Sequence, residues 1–288
     1  MYFTNKTAGV LFLVLGAFLS GCSDSSKDSA AANSSSASSE KVIRFGFCPG
    51  PYSRMVSDFF EKELNRQGYK VEYVEFTDYV QPDSALDSGN IDANLMQHQS
   101  YLDSIIKTQG FKITGVVNVP TLGLGVFSEK YRTFDEVPEG SKVGIPTDAV
   151  NLARALRIAR DLGYITLKAE KDEQKASVAD IDQNPKNLEF VPLEAAQISR
   201  SLDSLALGFV PGNYAIAANL DYSKALGVES VSENIKNVVA VREQDRDSLG
   251  RILQNLVKSR QFIDAVEANH YYDSFTRPAW WNEVKEQK

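Results

Sequence analysis

The stretch FTDYVQPDSALDSGNIDANLMQHQSYLD, residues 76–103, decides the fold class. It follows a run over residues 71–76 that predicts a strand, and continues as a short helix ending at Ser88, with Gly89 where a left-handed helix stop is wanted. Residues 91–96 predict a second strand leading into His98, and a helix from about Ser100 closes at Gly110. Strand, short helix, strand and helix in so short a span make the class α/β. Alternate side chains of a strand share a face, so Asn94, Met96 and His98 are expected together at the strand's carboxyl end, where open α/β sheets bind ligands. Tyr79 and Tyr101 bracket that edge. A lone histidine at a strand end is more often a structural residue. Two tyrosines, a methionine and a histidine together instead describe a pocket suited to a small apolar or sulfur-bearing side chain.

Upstream, residues 42–47 predict a buried strand entering the rigid turn Cys48-Pro49-Gly50-Pro51, then an amphipathic helix over residues 52–67 that turns Met55, Phe59 and Leu64 inward. With the next strand this makes one crossover unit. Further upstream the character changes. Lys6 precedes an apolar run over residues 8–18, too short for a membrane span and the right length for the core of a secretory signal. Residues 23–40 are almost all Ser, Ala, Asp, Lys and Asn, the composition of a flexible tether. Cys48 lies in apolar surroundings and reads as a buried structural thiol.

Downstream, residues 113–119 and 122–127 predict strands, residues 135–140 a turn, and residues 142–145 a strand opening a second α/β series. Pro146-Thr147-Asp148 predicts a helix start, and that helix runs to Leu162 before Gly163. Asn151 and Arg154 fall in its first turns, about 60° apart on one flank at 100° per residue. Free N–H groups at a helix start plus a guanidinium fork make a seat for a carboxylate. Strands are expected at residues 187–191, 205–210 and 238–241, a short helix at 194–202, and a strand-end loop, Pro211-Gly212-Asn213-Tyr214, beside the cleft. Two amphipathic helices, about 245–258 and 261–269, precede Pro278-Ala279-Trp280-Trp281, expected as an aromatic plug over one lobe.

Composition narrows the function classes. With 288 residues, 43% hydrophobic and 24% charged, the chain is long enough for two modest domains, and its net charge of -7 argues against nucleic acid as a partner. Two histidines far apart, His98 and His270, and two cysteines, Cys22 and Cys48, give no metal-ligand spacing. Neither a nucleophile elbow nor a phosphate loop occurs, and Asp78, Asp92 and Asp103 read as turn and helix-cap residues. A binding protein without a cofactor is expected rather than an enzyme.

Leu19-Ser20-Gly21-Cys22 resembles the lipobox of bacterial lipoproteins, in which Cys22 becomes the acylated amino end. With DYVQPDSALDSGNIDANLMQHQSYLD, PTDAVNLARAL, NPKNLEFVPLEAAQISRSLD and the closing PAW, the chain resembles the NlpA/MetQ family, the methionine-binding lipoproteins that serve bacterial ABC importers. The resemblance implies a type II periplasmic-binding-protein fold, two α/β lobes joined by crossing strands that close on an amino acid. It divides the chain into a signal peptide (1–21), a lipidated cysteine and tether (22–40), lobe 1 (41–120), lobe 2 (121–234) and a return to lobe 1 (235–288). It also implies that Arg154 grips the ligand carboxylate with Asn151 beside it, that Tyr79, Met96, His98 and Tyr101 surround the side chain, and that Asn237 holds the amino acid's polar end. The family usually carries Phe at Met96 and Asn at Pro211. Losing that amide removes a contact of about 0.5–1.5 kcal/mol unless Asn213 replaces it. The expected partners are methionine, an ABC permease with its ATPase, and the extracytoplasmic face of a membrane through the lipid anchor. A receptor for another amino acid or short peptide, and a surface lipoprotein used in adhesion, are the alternatives.

Overall fold

The computed structural model describes residues 41–168 and 175–286; the expected signal peptide, Cys22 and the tether lie outside the described residues. Four strands, β1 (Lys41–Phe47), β2 (Tyr69–Glu75), β3 (Ala93–His98) and β4 (Ile113–Asn118), are laid down before the chain crosses to a second sheet. That sheet is built from β5 (Gly125–Phe127), β6 (Lys142–Pro146), β9 (Glu189–Leu193), β10 (Leu207–Val210) and β11 (Gly227–Val228). Two short strands, β7 (Thr166–Leu167) and β8 (Ile181–Gln183), pair only with each other. The chain then returns to the first sheet as β12 (Asn237–Arg242). The sheet orders are β2-β1-β3-β12-β4 and β11-β5-β10-β6-β9. Each sheet carries helices, giving two α/β lobes.

β1 is parallel to β2 and β3, while β12 runs antiparallel between β3 and β4. The interior of this lobe gathers Phe45, Phe47, Phe60, Leu95, Val241 and Phe262. Each such side chain removed from water contributes about 1.5–3 kcal/mol. Gly89 adopts φ 77°, the left-handed stop expected after the Gln81–Asp87 helix. The helix from Tyr52 differs from expectation, because a π turn at Val56–Phe60 interrupts it. The wider turn shifts the buried face, so Phe60 rather than Phe59 is fully enclosed. The closing aromatics also differ from a plug: Trp281 lies inside the first core, edge-on to Phe262 with ring centres 6.0 Å apart. The second core packs Val126, Val143, Ile145, Leu156, Leu207 and Phe209 around the Ala149–Asp161 helix.

Two segments, residues 119–124 and 229–236, cross between the sheets side by side. The Glu229 N–H donates to the Leu124 carbonyl at 2.9 Å, and the Asn237 N–H donates to Thr121 Oγ1 at 2.7 Å.

Candidate functional site

A narrow cavity opens between the lobes, and all eight residues singled out from the sequence line it: Tyr79, Met96, His98, Tyr101, Asn151, Arg154, Asn213 and Asn237. Tyr52, Gln97, Leu122, Pro211 and Gly212 complete the wall. Met96 and His98 end β3, and Tyr101 sits in the first turn of the Gln99–Gln109 helix. Asn151 and Arg154 come from the first turns of the Ala149–Asp161 helix, and Asn237 begins β12. The segment after β10, expected as a loop, starts a helix, Gly212–Ala217, whose second residue is Asn213. The rings of Tyr79 and Tyr101 stand 5.7 Å apart, and Tyr79 meets Tyr214 of the other lobe at 5.3 Å.

The cavity's polar wall is a connected chain of hydrogen bonds. His98 Nδ1 accepts the Tyr101 N–H at 3.1 Å, which puts the ring proton on Nε2; Nε2–H then donates to Asn151 Oδ1 at 3.1 Å. Burial, aided by the charge on Arg154, lowers the His98 pKa to about 3, so the ring is neutral. Arg154 Nη1 donates to the same Asn151 oxygen at 3.3 Å. The rest of the fork is already engaged: Nε donates to Glu229 Oε1 at 2.6 Å and Nη2 donates to Glu229 Oε2. Both side chains are buried, 4% and 8% exposed. Burial works against both charges, yet each holds the other charged, so the Arg154 pKa is raised and the Glu229 pKa lowered. Glu229 also accepts the Leu124 N–H at 3.1 Å, tying the guanidinium to both crossing segments.

Several expectations need correction. Glu229 occupies one edge of the Arg154 fork, so that edge is not open to a ligand carboxylate. Asp148 caps the helix start, its carboxylate accepting the Asn151 N–H at 2.9 Å and the Asn151 amide at 3.1 Å. An anion seated there would face a carboxylate. Asn94 does not share a face with Met96 and His98. Val238 pairs with Gln97 and Ala240 with Asn94, so β3 holds one extra residue, a bulge that breaks the alternation. Asn94 and Gln97 therefore both reach Asp83, at 2.8 and 2.5 Å. Asp83 is fully buried and burial pushes its pKa up to about 7; Asp83 Oδ2 and Gln97 Oε1 have no hydrogen-bond partner. Asp92 does lie in the bend before β3, and there it also joins Arg44 of β1 to Arg242 of β12. Asp78 does cap a turn, accepting the N–H groups of Val80 and Gln81. Cys48 is a buried free thiol whose pKa burial pushes up.

Sequence reasoning missed Glu229, Asp83 and Gln97. Glu229 lies 75 positions beyond its arginine, and no local pattern marks it.

A family model described as NlpA lipoprotein matches residues 43–280. The D-methionine-binding lipoprotein MetQ of Escherichia coli (strain K12) is 32% identical over 278 residues, 95% of this chain and 95% of its own. The D-methionine-binding lipoprotein MetQ of Yersinia pestis is 37% identical over 235 residues, 81% of this chain and 83% of its own. The structure of a nutrient binding protein from Burkholderia cenocepacia bound to methionine is similar with a TM-score of 0.76 at 35% identity, covering 82% of this chain and 99% of that one.

Proposed function

The chain belongs to the NlpA lipoprotein family, and from that premise we propose that it is a membrane-tethered receptor that closes around methionine and delivers it to an ABC permease and its ATPase. The observation that carries this reading is that the eight expected residues, drawn from both lobes, line one cavity, apolar and aromatic on one side and holding the Arg154 guanidinium on the other. Tyr79, Met96 and Tyr101 would enclose the thioether side chain. Arg154 would hold the carboxylate, Asn151 would support it, and Asn213 and Asn237 would meet the polar end. Closure of the lobes over the ligand would create the surface that the permease reads. Residues 41–120 and 235–288 would form the first lobe and residues 121–234 the second. Residues 1–21 would be a signal peptide, Cys22 the lipidated residue, and residues 22–40 the tether to the extracytoplasmic face of the membrane. The protein acts in this reading as a binder and not as a catalyst.

Calorimetric titration of ligand-stripped protein with the L- and D-amino acids tests the proposal. Saturable heat with methionine supports it, and absence of heat and of any thermal shift with every amino acid refutes it. Met96 and Pro211, where the family usually has Phe and Asn, favour one second reading, a receptor for a different amino acid or a short peptide. A mass spectrum of the ligand that co-purifies separates the two.

A further inference from the structure

We propose that Glu229 sets the charge class of the ligand: by neutralising Arg154 from behind, it makes the cavity accept a zwitterion and turn away a simple carboxylate anion. The inference rests on the amino-acid reading above and adds a specificity residue to it. Glu229 is not part of the cavity wall, whereas Arg154 is. The two meet through a two-pronged contact, both side chains buried, with Glu229 further held by the Leu124 N–H at 3.1 Å.

The charges around the cavity can be taken in turn. Arg154 supplies one cation and Glu229 one anion. Asp148 stands on the far side of Asn151, its carboxylate bonded to that amide at 3.1 Å. His98, between Tyr101 and Asn151, is neutral. Farther out, Arg157 acts on His98, and Lys236, within reach of Glu229, faces Glu233 at 3.9 Å. Arg154, Arg157 and Lys236 are thus matched by Glu229, Asp148 and Glu233, and the surroundings of the cavity carry no surplus positive charge. A guanidinium has five N–H groups, and three of those on Arg154 are engaged by Glu229 and Asn151. Two remain, one on each terminal nitrogen, and they can still direct a carboxylate. Such a carboxylate arrives next to an ion pair that is already balanced. In a poorly solvated space an uncompensated anion beside Glu229 is costly, while a ligand carrying its own ammonium adds no net charge.

Isothermal titration of the full-length protein with L-methionine and with 4-(methylthio)butanoate, which keeps the thioether and carboxylate but lacks the amine, tests the idea. The wild type should bind methionine at least about 100-fold more tightly than the anion. Glu229→Gln should narrow that ratio by about tenfold or more, and Glu229→Asp, which keeps the charge, should preserve it. Equal weakening of both ligands by Glu229→Gln, with the ratio unchanged, would reduce Glu229 to a structural prop and overturn the proposal. So would a wild type that binds the anion within about threefold of methionine, a comparison that needs no variant to fold. A wild type that binds neither compound removes the methionine reading, and this inference, which is framed on a methionine-like ligand, falls with it.

Discussion

Arg154 and Glu229 illustrate how far a single residue's meaning depends on a partner distant in the chain. Removing one member of a buried pair strands the other, which costs about 3–5 kcal/mol, whereas replacing both by apolar groups of similar volume is often close to neutral. Arg154→Met is therefore expected to lose methionine binding and to destabilise the chain more than the double variant Arg154→Met/Glu229→Leu, as read from urea unfolding. Asp83 gives a second prediction. Its folded pKa of about 7 lies above the ordinary carboxylate value, so the native chain holds this proton more tightly than the unfolded chain does. The stability it contributes is full below about pH 4 and is lost as the pH rises through about 7. Asp83→Asn keeps an acceptor for Asn94 and adds a donor within the pair left without partners, Asp83 Oδ2 and Gln97 Oε1. It should stabilise the protein by about 2 kcal/mol at pH 8 and much less at pH 5, measured by thermal melts at both. The sequence made Asn151 and Arg154 legible because a helix start has local markers in Pro146, Thr147 and Asp148. It was silent on Glu229 and Asp83, whose importance arises only when remote segments meet and water is excluded.

At the scale of elements, most of the secondary structure was readable from hydrophobic period and stop signals, as the Gln81–Asp87 and Ala149–Asp161 helices illustrate. The exceptions are insertions of a residue or a turn that leave composition unchanged. The bulge in β3 and the π turn at Val56–Phe60 each rotate side chains to another face without altering the apolar pattern by which strands and helices are recognised. The Gly212–Ala217 helix abuts the first crossing segment, and a Cβ on Gly212 would stand 2.4 Å from the Leu122 carbonyl oxygen. Backbone faces backbone there, so neither side can yield by turning a side chain. Gly212→Ala should push this helix away, carry Asn213 off the cavity wall, and lower stability by about 2 kcal/mol. Thermal melts and methionine titration of the variant check both effects.

The whole molecule is captured with its lobes in contact across the cleft. Tyr79 donates its hydroxyl to Asn213 Oδ1 at 2.8 Å, Asn213 donates to the Pro49 carbonyl at 3.0 Å, and His98 joins Asn151. Tyr79→Phe removes one of these links while keeping the ring. It should weaken methionine binding by about 0.5–1.5 kcal/mol and enlarge the ligand-free radius of gyration in solution scattering, with the ligand-bound radius unchanged. The two-lobed plan was legible through family resemblance; from periodicity alone only the α/β class was. Strand order was beyond reach, because nothing local in residues 237–242 announces that they belong between β3 and β4. That position has a consequence for the order in which the protein can assemble. Synthesis releases β3 and β4 early and the strand that must be inserted between them only after the entire second sheet, so an incomplete chain can finish its middle before its beginning. Truncation ahead of residue 237 leaves two raw strand edges, and such a fragment is primed to stick to copies of itself.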